Sequence, residues 1–304
     1  MKNYKLILIL SLAVFFCIGA QSDCDKKKIL KNTNTKTENK SMNNDEMPLE
    51  TPLDQPNSEI KKLAEGINAK IDTPFVFIVR TKETYAQMQS MVENLPAVAE
   101  IDFSRSAVVA AFAGEKNTGG YSVAIDGTRG NVSVKVKSPP PDAMVTQALT
   151  KPYFVALVPV GEEESLKIDL SENWMNAAES YKVTSGEFEY SGGFRGMQKK
   201  FEPKGTIKVL HSGENVTMLF DLEGKENVGQ FKTTDLASGK LNDGKVVLPR
   251  LEAATLIAQP HPPFIVSGNI SNEKMSLSFE KGKRSFVVND GYEGTGKLEA
   301  VKEN

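Results

Sequence analysis

The sequence predicts a mainly β protein: a small α+β module, a β meander with a helix, followed by an all-β sandwich or barrel. Three observations carry this. Val132, Val134 and Val136 alternate with Ser133 and Lys135, and Val216, Met218, Phe220 and Leu222 alternate with Thr217 and Asp221, the period of a half-buried strand. Ala107–Ala113 is an unbroken apolar run of strand length. The turn pairs Ser212-Gly213, Asp243-Gly244 and Asp290-Gly291 punctuate the second half at hairpin spacing.

The elements follow in order. Ile60, Leu63, Ala64 and Ile67 sit at helical spacing and predict a short amphipathic helix over Glu59–Ile71, stopped by Pro74. Phe75–Val79 reads as a buried strand. Thr81 is an N-cap, and Tyr85, Met88, Met91, Val92 and Leu95 recur every three or four residues up to Pro96, a helix turning one face to the core. The methionine and aromatic stripe on that face belongs to packing. Strands over Ala107–Phe112, Tyr121–Ile125, Val132–Val136 and Tyr153–Val160 form the expected antiparallel meander. The loop Gly114–Gly120 joins the first two. Ser138–Lys151, with three consecutive prolines, precedes the last. Glu162-Glu163-Glu164 is a solvated acidic run. Trp174 falls in a polar junction, Asp169–Ala178, which separates a domain over 59–170 from one over 178–304. Beyond it, Thr206–Leu210, Val216–Leu222, Met275–Phe279 and Phe286–Val288 are short strands, and Leu251–Ile257 reads as one short helix.

The N-terminus has a different character. Lys2 and Lys5 precede an apolar stretch from Leu6 to Phe16, and Ile18-Gly19-Ala20 supplies a small residue for cleavage, so 1–20 reads as a signal peptide cut before Gln21. The stretch is shorter than the ~20 residues a membrane span needs. Residues 21–58 are rich in Lys, Asn, Thr, Glu and Pro and bury too little to order themselves, which predicts a disordered tether. The expected location is therefore outside the cytoplasm: periplasm, cell envelope or medium. Of the two cysteines, Cys17 lies in the signal and Cys24 in the tether, so no disulfide braces the fold. A lipid on Cys24 suits its place ahead of a tether, while Asp23 stands where a lipoprotein signal has a small residue; anchoring stays open, and it is the one expected contact with a membrane. The formal charge of −2 argues against a nucleic-acid partner, and Lys26-Lys27-Lys28 sits in the tether as a solvated cluster.

The residues offer little chemistry. The two histidines, His211 and His261, are far apart in sequence, too few for an ordinary zinc site. No G-x-S-x-G elbow occurs. Asn117-Thr118-Gly119-Gly120 lacks the lysine and following helix of a phosphate loop, and its glycines suit a hairpin connection. No enzyme activity, metal or cofactor is expected.

One resemblance adds to this. Asp102-Phe103-Ser104, Val108-Val109-Ala110, Gly114, Thr118-Gly119-Gly120-Tyr121-Ser122-Val123, Pro139-Pro140-Pro141, Ala143–Thr150, Pro152-Tyr153 and Val155 follow one another as in the PrcB C-terminal domain, over about residues 75–159. That family is named for an accessory subunit of a secreted protease complex. The resemblance implies an exported, often lipid-anchored, non-catalytic domain that stabilises a partner protein, possibly a protease. It says nothing of Tyr181–Asn304. In the expected meander the glycine loop and the proline-rich segment meet at one end of the sheet. Lys116, Asn117, Thr118, Gly119, Gly120 and Gln147 are then the candidate partner-binding residues, the rival reading being that they only brace the hairpin. The alternative function is an envelope protein whose C-terminal β module holds a small apolar or glycan ligand.

Overall fold

The computed structural model describes residues 59–162, 164–192, 197–226, 229–252, 264–281 and 293–303. Outside them lie the signal and tether with Cys24, Glu163, His261 between its prolines, residues 253–257 of the expected short helix, Phe286–Val288 and Asp290-Gly291.

The N-terminal part comprises β1 (Lys61–Gly66), β2 (Pro74–Val79), α1 (Lys82–Met88), β3 (Ser106–Ala113), β4 (Ser122–Thr128), β5 (Asn131–Lys137), β6 (Tyr153–Pro159), β7 (Lys167–Leu170) and α2 (Glu172–Met175). The expected meander is not formed. β3 pairs with β2 on one side and β6 on the other, giving an antiparallel sheet in the order β1-β6-β3-β2. β4 and β5 form a hairpin in a separate sheet, to which β7 adds parallel to β5. The reason lies in the patterns. Every residue of β3 is buried, as befits a central strand covered on both faces. The alternation in β5 suits a sheet with one wet face.

Nor do residues 59–71 form a helix. Lys61–Gly66 pairs with β6, with a register shift between Lys62 and Ala64. That irregularity turns the adjacent residues Leu63 and Ala64 both toward the core, so a bulged strand imitates helical spacing. The second helix exists but is short. Thr81 caps it as expected, in a reciprocal box with Thr84, and it stops at Met88 rather than running to Pro96. Met91 and Val92 remain buried in the turns that follow. Among the described residues no helix is long and apolar enough to cross a membrane.

The C-terminal part contains β8 (Glu179–Gly192), β9 (Met197–Phe201), β10 (Lys204–Ser212), β11 (Asn215–Glu226), β12 (Gly229–Asn242), β13 (Lys245–Leu248), β14 (Leu251–Glu252), β15 (Phe264–Ile270), β16 (Lys274–Lys281) and β17 (Glu293–Lys302). They close into an eight-stranded antiparallel barrel. β8 does the closing: it pairs with β17 along one side and, on the other, with β10 through its first residues and β9 through its last. Leu251 and Glu252, expected at a helix start, are strand residues paired with β12. The alternating apolar positions point inward: Val216, Met218, Phe220 and Leu222 join Tyr181, Phe188, Val266, Leu277, Phe279 and Leu298 in one core.

Residues of this barrel's outer wall are buried against the N-terminal part. Leu219, the apolar exception on the otherwise polar side of β11, packs with Leu210 and Leu236 into the core of the N-terminal sheets. Pro52–Asn304 is accordingly one compact unit. Trp174 is fully buried rather than lying in a polar junction; its indole N–H donates to the carbonyls of Phe112 at 2.9 Å and Phe75 at 3.3 Å.

Candidate functional site

β3 and β6 are antiparallel neighbours, so the loop leaving β3 and the segment entering β6 must meet. That is how Gly114–Gly120 and Ser138–Lys151 become adjacent, by a different route from the expected meander. Lys116 and Thr150 exchange both backbone bonds, at 2.8 and 2.9 Å. Gly119 N–H donates to the Thr146 carbonyl at 2.9 Å, and the buried Thr150 hydroxyl donates to the Thr118 carbonyl at 2.9 Å. Two glycines are needed here. Gly120 has φ +85°, and a Cβ on it would press on Pro139 and Val145. A Cβ on Gly119 would lie 2.4 Å from the Thr146 hydroxyl. Lys151 continues the contact outward: its N–H donates to the Ile67 carbonyl at 2.7 Å, just beyond β1.

The six candidate residues divide into two groups. Lys116 is half-buried; its ammonium donates to Asn173 Oδ1 at 2.9 Å and lies 5.8 Å from the centre of the Tyr121 ring. Burial holds its pKa below the ordinary lysine value. Thr118 is half-buried and Gly119 buried, and both lend backbone groups to the proline-rich segment. These three brace the site. Asn117, Gly120 and Gln147 are exposed. Tyr121 and Tyr153 are half-buried at its base.

The sequence reasoning passed over the apolar residues displayed on this frame. Met144 is fully exposed and Leu149 is 62% exposed; Ile67, whose carbonyl accepts from the Lys151 N–H, is 49% exposed. Pro140, Pro141, Ala143 and Ala148 are exposed between or beside them, and Asp142 is the one charge from Ser138 to Leu149. The available signal was an uncharged run, Ala143–Thr150, inside a proline-rich loop. The brace from α2 was missed too: Asn173, which also donates to the Ala113 carbonyl at 3.3 Å, is one turn of helix in a stretch taken for a boundary.

A second polar cluster lies between the two parts of the chain. Arg80 grips the Glu252 carboxylate with Nε and Nη2, each at 2.7 Å, while Arg250 Nε and the Leu166 N–H donate to the same group at 2.9 and 3.0 Å. The Arg80 and Glu252 side chains are 7% and 1% exposed. Arg80 Nη2 and Arg250 Nη2 both donate to the Glu164 carbonyl. The Glu164 carboxylate, of the supposed solvated run, is drawn below its usual pKa chiefly by the Arg129 guanidinium at 2.9 Å. Every member of this cluster holds another protein group, an arrangement that joins elements rather than receives a substrate. Among the described residues no group of three or more His, Cys, Asp or Glu side chains is placed to hold a metal. His211 is exposed at the end of β10. Inside the barrel, Phe279 packs against Phe188 and Phe220 with ring centres 4.7 and 5.7 Å apart.

The family model for the PrcB C-terminal domain matches residues 107–159. These run from the second residue of β3 to the end of β6 and so contain both loops; Phe75–Ser106 of the resembling stretch lies outside the match. No curated protein and no solved structure matches the chain.

Proposed function

We propose that this is an exported, non-catalytic accessory protein that binds and stabilises a partner protein, a protease in the first instance, through the face made by the proline-rich segment and the glycine loop. The observation that carries the reading is the pair Met144 and Leu149, exposed on a segment fastened to the glycine loop by backbone bonds at Thr146 and Thr150. Apolar side chains held in water on a rigid frame favour association, because little conformational entropy remains to be lost. The family match adds the expectation of a protease complex. Export rests on residues 1–20 and the distance from a surface on the tether; lipidation at Cys24 would make that surface a membrane.

The partner's identity is the test. The full chain, expressed with its own leader in its native host and captured by a C-terminal tag, is expected to retain one stoichiometric protein with a protease fold. Met144→Ser combined with Leu149→Ser is expected to release it without altering export. A chain that returns alone, or that retains the same protein after the double substitution, would remove the basis for the reading.

A further inference from the structure

The two edges of the four-stranded sheet are finished differently. The outward backbone groups of β2 are satisfied by the barrel wall: Thr217 Oγ1 donates to the Val76 carbonyl at 2.5 Å, and the Ile78 N–H donates to Ser238 Oγ at 3.0 Å. β4, an edge of the smaller sheet, lies against β6. β1 pairs with β6 on one side, and among the described residues nothing pairs with its other side. Its chain runs straight into exposed Ile67, whose carbonyl accepts from the N–H of Lys151, two residues after Leu149.

We infer that β1 receives an extended segment of the partner as an added strand. The inference rests on the accessory reading above and names the partner element it engages. An unpaired strand edge offers alternating N–H and C=O groups, and only an extended backbone can meet them in sequence. Charge narrows the occupant. Lys61, Lys62 and Glu65 are the exposed side chains of β1. Lys62 and Glu65 form an ion pair at 2.6 Å, and among the described residues no carboxylate pairs with Lys61. The added segment therefore carries an acidic residue opposite Lys61 and an apolar one where it passes Ile67. The register shift at Lys62 and Ala64 and the flanking lysines oppose indiscriminate edge pairing.

The experiment places a photoreactive phenylalanine at Glu65 of the full chain in its native host, with the same probe at Lys204 on the barrel as a control, and sequences the crosslinked peptides. Position 65 is expected to reach one short acidic stretch of one protein, and position 204 is not. Lys61→Glu is expected to cut that yield about two- to fivefold, the range of an exposed ion pair. In the purified complex, the peptide covering β1 is expected to exchange its amide hydrogens at least about tenfold more slowly. Crosslinks to a second copy, or scattered over many proteins, would overturn the inference. If capture depends on Met144 and Leu149 while β1 neither crosslinks nor gains protection, strand addition fails and the docking face stands. If β1 crosslinks a partner whose capture ignores Met144 and Leu149, the docking face fails and strand addition stands. No partner at all overturns both.

Discussion

β2 and β1 border the same sheet, yet one disappears into the barrel and the other faces water. At β2, Leu210, Leu219 and Leu236 of the barrel wall cover apolar surface. Thr217 and Ser238, cross-strand partners whose hydroxyls lie 2.7 Å apart, complete the strand's hydrogen bonds. Beside this seam sits the Arg80–Glu252 pair, almost free of solvent. At the other border the chain shows lysines, a bulge and exposed Ile67, and the segment that enters β6 carries exposed Met144 and Leu149. The contrast separates two uses of similar material. Polar groups that are all partnered inside the protein fix one arrangement of its parts. Apolar groups that lack such a cover leave free energy for association.

The contrast predicts a graded series of responses. Glu252→Ala removes the buried carboxylate that Arg80 and Arg250 share and is expected to cost about 3–5 kcal/mol in urea unfolding, the loss typical of breaking one side of a buried pair; a cost under about 1 kcal/mol would mean that water already reaches the seam. Thr217→Val keeps the shape but deprives the Val76 carbonyl and Ser238 of a partner, for an expected loss of about 1–3 kcal/mol. If Thr217→Val leaves stability unchanged, the β2 edge is not sealed in this way. In the barrel core, Tyr181 gives a pH-dependent check. Its phenol is pushed up to about 12, first by burial and then by the nearby Glu179 carboxylate. The protonated form is thus favoured in the folded state. Its stabilising effect is complete below the ordinary tyrosine value of about 10 and is lost as pH rises from there through about 12. Absorbance titration is expected to lose one late-titrating phenol in Tyr181→Phe, and the substituted protein is expected to lose less stability than the parent over that interval.

Local pattern revealed much of this. The strand alternation, Thr81 as a cap, the buried methionine stripe and the barrel-type second half are all written in neighbouring residues. What escaped was non-local. Nothing near Ala107–Ala113 says that its neighbours are β2 and β6; only its burial on both sides hinted that it is central. A bulge in β1 gave strand residues helical spacing. Trp174 looked marginal because its partners, the Phe75 and Phe112 carbonyls, lie 99 and 62 residues away in sequence and meet it only when the chain folds back on itself. For the site, the glycines and the proline run marked the right loops, but the exposure of Met144 and Leu149 depends on what the fold leaves uncovered.

The most direct test of the docking face is a paired measurement on Leu149→Asp: affinity for the purified partner, and thermal unfolding of the chain alone. The account predicts that Kd rises at least about tenfold, as expected when a charge enters an apolar contact, while Tm stays within about 2 °C, because an exposed side chain contributes little to the fold. An unchanged Kd, or a weakened affinity that appears only alongside a large fall in Tm, would contradict it.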